Sequence, residues 1–143
     1  METDYLIETN IDDMNPQLYD YVMERLLKAG AMDVFYQPIQ MKKNRPGIKF
    51  SVLCSKEKMD TMLGILFSET TTLGARVLEV GKVMQERSFK AVKTKYGSVP
   101  VKIGKWKGKV MNAAPEYEVC KEIAQKKKVP LKGVIGEVRK MVK

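Results

Sequence analysis

Histidine is absent from this 143-residue chain, and cysteine occurs only twice. Without histidine there can be no Ser-His or Cys-His nucleophile system and none of the common imidazole metal ligands. Cys54 and Cys120 fall in separate predicted elements and lack CxxC spacing. That is the pattern of buried free thiols in a reducing compartment, so the cytoplasm is the expected location. No apolar run approaches the roughly 20 residues of a membrane span, and Met1-Glu2-Thr3-Asp4 is acidic rather than signal-like. Neither of the standard phosphate loops, GxxxxGK before Ser or Thr and GxGxxG, occurs.

The length suits one domain with a sizeable core, and the hydrophobic fraction of 44% is ordinary for a globular protein. The net charge of +9 is unevenly spread. Acids crowd the first 33 residues (Glu2, Asp4, Glu8, Asp12, Asp13, Asp20, Glu24, Asp33), whereas from Lys82 to Lys109 Glu86 is the lone acid among lysines and an arginine. Such a split fits a solvated basic face, a polyanionic ligand, or a neighbouring copy that presents its acidic third.

Tyr5–Asn10 reads as a strand. Asn15 and Pro16 are an N-cap and first helical residue, Leu18, Val22, Leu26 and Ala29 recur at helical spacing, and Gly30 suits a left-handed C-cap. Val34–Lys42 reads as a second strand, placed at a sheet edge because Pro38 cannot donate to a ladder. Lys43-Asn44-Arg45-Pro46-Gly47 is turn chemistry, and Ile48, Phe50 and Val52 alternate as a third strand. Met59, Met62, Leu63 and Leu66 mark a second helix running to Ser68, and Leu73–Val80 a fourth strand. The order β-α-β-β-α-β predicts an α+β, ferredoxin-like core over residues 1–81 with strand order 4-1-3-2. Residues 82–143 read as an extension of the same domain: a basic hairpin around Tyr96-Gly97-Ser98, a turn-rich stretch through Gly108, a helix from Pro115 to Lys128, and a weaker one over Leu131–Met141, interrupted by Gly133 and Gly136.

In that topology three junctions meet at one end of the sheet, and loops on a rigid scaffold are where function usually sits. They carry Asn10, Asp12 and Asp13; Lys42, Lys43, Asn44 and Arg45; and Glu69, Thr70, Thr71 and Thr72. Adjacent carboxylates suit a hard divalent cation. Lysine and arginine beside a glycine turn suit phosphate oxygens. Each piece alone has a bland reading, as a helix-dipole pair, a solvated hairpin tip or a simple turn. Their convergence points to a metal–triphosphate, with Asp12, Asp13 and Glu69 toward the metal, Lys42, Lys43, Arg45 and Arg76 toward phosphates, and Asn44, Thr70 and Thr71 beside them. Lys102, Asn112, Glu116 and Tyr117 form a secondary candidate cluster. The third strand lacks the aromatic signature of RNA-binding domains of this topology. Two rivals remain: an RNA-binding module using the basic hairpin, with Trp106 available to stack, and a structural oligomerisation domain.

Four stretches go further: Glu8-Thr9-Asn10-Ile11-Asp12-Asp13-Met14, Pro38 through Gly47 with its Met-Lys-Lys-Asn-Arg-Pro-Gly run, Leu66 through Gly74 with Glu-Thr-Thr-Thr-Leu-Gly, and Ala114-Pro115-Glu116-Tyr117-Glu118. Together they resemble the C-terminal domain of the LarC nickel-insertion family, from Tyr5 to Val138. The resemblance implies insertion of nickel into a pyridinium bisthiocarboxylate mononucleotide to complete the nickel-pincer cofactor of lactate racemase. It implies CTP binding with manganese or magnesium, ring-shaped homo-oligomers, and an N-terminal half outside this chain. Nickel commonly takes nitrogen or sulfur ligands. With only Cys54, Cys120 and the methionines to offer sulfur, its capture is expected on that other half.

Overall fold

The computed structural model describes residues 2–142, and the chain divides into two compact units, Met1–Val83 and Met84–Lys143.

In the first unit β1 (Glu2–Ile11), α1 (Leu18–Lys28), β2 (Asp33–Met41), β3 (Arg45–Cys54), α2 (Met59–Glu69) and β4 (Arg76–Lys82) follow in the expected order. The sheet runs β2-β3-β1-β4. β1 pairs antiparallel with both β3 and β4, and β2 antiparallel with β3, so β1 and β2 point the same way. Pro38 does lie on an edge strand, opposite Ile48. The end of β1, the β2–β3 hairpin and the start of β4 therefore share one end of the sheet. The core joins Ile7 and Ile11 of β1, Val34 of β2, and Phe50, Val52 and Cys54 of β3 to Val22 and Leu26 of α1 and Met62 and Leu66 of α2. Tyr19, Tyr36 and Phe50 pack as an aromatic trio with ring centroids 5.6–6.1 Å apart.

Local chemistry sets the boundaries, and several differ from the sequence expectation. Regular helix α1 begins at Leu18 rather than Pro16, because Asn15 first closes an Asx turn: its Oδ1 accepts the Gln17 N–H at 3.0 Å. The far end follows expectation. Gly30 at φ +102° lets Ala31 N–H reach Leu26 O and its own N–H reach Leu27 O, a Schellman closure. β2 stops at Met41, so Lys42 belongs to the turn, and Arg45–Gly47 are already strand. At Gly47 a Cβ would sit 2.5 Å from Met41 Sδ and 2.9 Å from Ile11 O, so only glycine permits this approach of β3 to β1. β4 begins at Arg76, not Leu73. Residues 71–75 are irregular because the Thr9 and Thr72 hydroxyls both donate to Gly74 O at 2.9 Å, taking a carbonyl the ladder would need.

The second unit contains β5 (Glu86–Thr94), β6 (Gly97–Trp106), β7 (Lys109–Pro115), α3 (Tyr117–Lys127) and α4 (Leu131–Met141), its sheet ordered β5-β6-β7. The stretch expected as turn and helix start is thus a third strand, and Pro115 ends it instead of opening α3. Lys107 and Gly108 make this possible. Both have positive φ, +49° and +77°, as a two-residue hairpin turn requires. Val92, Val99 and Val101 pack on Cys120, Ala124, Val134 and Val138, and α4 forms despite its two glycines because this burial outweighs their propensity. No helix among the described residues is long and apolar enough to cross a membrane.

Candidate functional site

The shared end of the first sheet is built by three segments. Beyond β1 the chain bends through Asp12, Asp13 and Met14 toward α1. Across from it the hairpin tip closes on the Met41–Arg45 pair, with Lys43 at φ +59° and Asn44 at φ +56°. Two successive non-glycine residues in the left-handed region are costly, and such strain collects at functional sites. Asn44 is held by Gln40, whose Nε2 donates to its Oδ1 at 3.0 Å. Lys42 and Lys43 are exposed and form no ion pair among the described residues.

The junctions do meet in pairs. Arg45 Nη1 lies 3.4 Å from Asp12 Oδ2. Thr71 donates its hydroxyl to Asp13 Oδ1. Arg76 Nη2 donates to Asn10 Oδ1 at 2.8 Å. Two candidates are committed elsewhere. Glu69 is ion-paired with Arg25, tying the ends of α2 and α1 together. Thr70 donates to Leu66 O at 2.6 Å, finishing α2. Thr9 pins the third segment: it is only 2% exposed, and its hydroxyl contacts both Thr72 Oγ1 and Gly74 O. Thr9→Val should cost about 0.5–1.5 kcal/mol, the net worth of the hydrogen bond its hydroxyl makes, since Thr72 still donates to Gly74 O. Denaturant unfolding measures the loss, and amide exchange at Gly74 and Ala75 should quicken.

Among the described residues no three acidic or sulfur side chains converge as a metal cage. A small divalent cation needs no such cage. It is typically held by one or two carboxylates plus phosphates and water, which Asp12 and Asp13 fit. Next to them lies a cleft of about 300 Å³. Buried Ile11, Met14 and Tyr19 form its floor, and Pro16, Pro38 and Pro46, all exposed, its rim. Burial, and then the charge of Asp13, push the Tyr19 phenol above its ordinary value, so it stays a neutral hydroxyl. Sequence periodicity assigned Tyr19 no role, and the three prolines come from segments far apart in the chain.

The secondary candidates all lie in the second unit. Lys102 and Asn112 stand one register step apart on the sheet face opposite the core, with exposed Phe89 across from Lys102 and Arg87 across from Gly104. Glu116 directly precedes α3 and donates its N–H to Pro100 O at 2.9 Å; Tyr117 is exposed. Both thiols are buried. Burial pushes Cys54 up, assisted by Asp4, and Cys120 up, assisted by Glu116. Neither is poised to be a thiolate ligand.

A family model described as nickel insertion protein matches residues 1–135. The chain is 55% identical over 141 residues to the pyridinium-3,5-bisthiocarboxylic acid mononucleotide nickel insertion protein of Thermotoga petrophila, covering 99% of this chain and 36% of that protein. To the same-named protein of Clostridium acetobutylicum it is 49% identical, covering 98% and 33%. The chain thus spans about a third of the length of the curated relatives it matches. Among solved structures it is similar to LarC2, described as the C-terminal domain of a cyclometallase involved in synthesis of the NPN cofactor of lactate racemase, in apo form. The TM-score is 0.88 at 37% identity, covering 99% of this chain and 97% of that one. A Methanopyrus kandleri protein, 22% identical with a TM-score of 0.74, shares the fold.

Proposed function

Since the chain belongs to the nickel insertion protein family, we propose that it is the part of a nickel insertase that binds CTP with a divalent cation. The whole enzyme would place nickel, its substrate ion, into the pyridinium bisthiocarboxylate mononucleotide, completing the nickel-pincer cofactor of lactate racemase. One observation carries the nucleotide reading: two exposed lysines, without an ion pair among the described residues, sit on a strained hairpin tip beside an arginine that reaches the Asp12 carboxylate.

In this reading Lys42, Lys43 and Arg45 hold phosphate oxygens, with Asn44 keeping the tip in shape. Arg76 and Thr71 flank them. Asp13, with Asp12 adjacent, takes the manganese or magnesium ion, which neutralises phosphate charge when bound. Glu69 would have to leave Arg25, and Thr70 its helix carbonyl, to join. This chain's share of the chemistry is to clamp and orient the triphosphate. The two buried protonated thiols favour nickel capture on a part of the enzyme outside this chain. Ring assembly of several copies belongs to the same proposal, supported by the acidic first third and basic later part.

CTP plus Mn²⁺ should stabilise the chain more than either alone, by about 2.7 kcal/mol at 100 times Kd. Thermal unfolding reads this directly, and no shift with the pair together would sink the nucleotide role. A second reading rests on the uncovered face of the β5-β6-β7 sheet. There exposed Phe89, Arg87, Lys93 and Lys102 could hold single-stranded RNA. Binding of that kind weakens steeply with salt and needs no divalent ion.

A further inference from the structure

We infer that the open face of the β5-β6-β7 sheet is a platform for a single zwitterionic ring, a pyridinium that carries acid groups and a sugar phosphate. The inference rests on the proposed role in nickel insertion and adds where the pyridinium mononucleotide itself is held.

Alternation along the strands decides which side chains share this face. Val92, Val99 and Val101 pack on α3 and α4, so Arg87, Phe89 and Lys93 of β5 and Lys102 of β6 stand on the other side. Phe89 is 64% exposed in the middle of β5, directly opposite Lys102. One exposed phenylalanine is ordinary. Its surroundings are what matter. The same-face neighbours Ala91, Gly104 and Ala114 are small, which leaves the ring accessible.

Charge on this face has one sign. None of Arg87, Lys93 and Lys102 forms an ion pair among the described residues. Arg87 makes a weak contact with Met84 Sδ at 3.8 Å. Glu86 points to the other side of β5, and the remaining acids of this unit (Glu116, Glu118, Glu122 and Glu137) lie on or beside α3 and α4. Like charges on neighbouring sheet positions work against the fold, so an anion that settles among them removes a repulsion.

A pyridinium mononucleotide has the inverse pattern, a cationic ring with anionic substituents and an anionic phosphate. The negative face of an exposed aromatic ring attracts the cation. Between Cα atoms Arg87 is about 7 Å from Phe89 along the strand, and Lys102 about 5 Å across the ladder. Acid groups on two edges of a ring stacked on Phe89 therefore each meet a cation. Lys93 lies about 13 Å from Phe89 in the other direction along β5, within reach of a phosphate carried on the ribose. The face suits one ring and not a strand. Sheets that bind single-stranded RNA stack two or three bases, whereas here Trp106 stands past the register shift at Gly104/Lys105, at the hairpin end.

The probe is nicotinate mononucleotide, a pyridinium with one carboxylate and a ribose phosphate. It is titrated calorimetrically into the full chain beside nicotinamide mononucleotide, ribose 5-phosphate and a short oligouridylate. The unmodified chain should bind the probe about fivefold or more tightly than ribose 5-phosphate. It should also prefer the probe to the nicotinamide form, whose ring has no acid group. Phe89→Ala should bring the probe down to the level of ribose 5-phosphate, and Phe89→Leu, apolar but without the ring face, should lose most of the same advantage. Arg87→Gln with Lys102→Gln should erase the preference for the nicotinate form. These positions are exposed, so the fold should be kept. Equal binding of the probe and ribose 5-phosphate by the unmodified chain overturns the platform, as does a Phe89→Ala variant that binds the probe like the parent. Oligouridylate binding that is tighter than the probe's and weakens steeply with salt also overturns it, and marks an RNA face instead. Titration of the same protein with Mn²⁺–CTP separates the two readings. CTP binding without a Phe89-dependent probe site sinks the platform alone, and binding of neither sinks both.

Discussion

Arg45→Ala should weaken binding of Mn²⁺–CTP by about 10- to 150-fold, the loss of one charge-assisted hydrogen bond worth roughly 1.5–3 kcal/mol. The side chain is 56% exposed, and its ion pair among the described residues is with Asp12 at 3.4 Å, a long pair of little value to the fold. Stability should therefore stay within about 0.5 kcal/mol of the parent. Asp13→Asn separates the metal side from the phosphate side. Thr71 donates to Asp13 Oδ1, and an asparagine carbonyl can accept the same bond, so the substitution removes charge and keeps the local contact. The expected result is loss of the dependence on the divalent ion, with Mn²⁺ no longer improving CTP affinity and the fold intact. Calorimetric titration of CTP into both variants, with and without Mn²⁺, gives the answer. If both bind like the parent, phosphates are held elsewhere, and the face carrying Lys102 and Asn112 becomes the next place to look.

That Asp12 and Arg45 meet, although far apart in the chain, is legible in the sequence, because it follows from topology alone. Pro38 puts one strand at an edge, Gly30 ends one helix, and the alternation of Ile48, Phe50 and Val52 sets β3 against the core. With that strand order, register brings the junctions to one end. What is not legible depends on side chains that compete with the backbone. The Thr9 and Thr72 hydroxyls capture Gly74 O and delay β4 by three residues, and nothing in a hydrophobic pattern announces that. β7 is hidden for a related reason. Its turn is Lys107-Gly108, with a lysine in a left-handed conformation where Asn or Asp is the usual signal. The cleft leaves no mark in the sequence because its floor and rim come from separate segments, and because Tyr19 reads there simply as a helix residue. Glu69 illustrates the converse. Its place beside three threonines suggests a ligand, and only the packing of α1 against α2 shows Arg25 as its partner.

The largest effect on stability should come from Phe50→Ala. Phe50 is fully buried in the middle of β3, the strand that pairs with both β1 and β2, so its ring is central to the layer between sheet and helices. It stacks on Tyr19 at 6.1 Å and Tyr36 at 6.0 Å between centroids, interactions that add to the area it buries. Truncation leaves a void that the neighbouring strands cannot close without breaking ladder bonds. The expected cost is about 3–5 kcal/mol, a large share of the roughly 5–15 kcal/mol typical of a small domain. Denaturant unfolding should show the midpoint falling at nearly unchanged m. The conservative control is Phe50→Leu, which keeps most of the volume and should lose markedly less. A stability loss below about 1 kcal/mol in Phe50→Ala would mean that the aromatic trio is not the centre of this core.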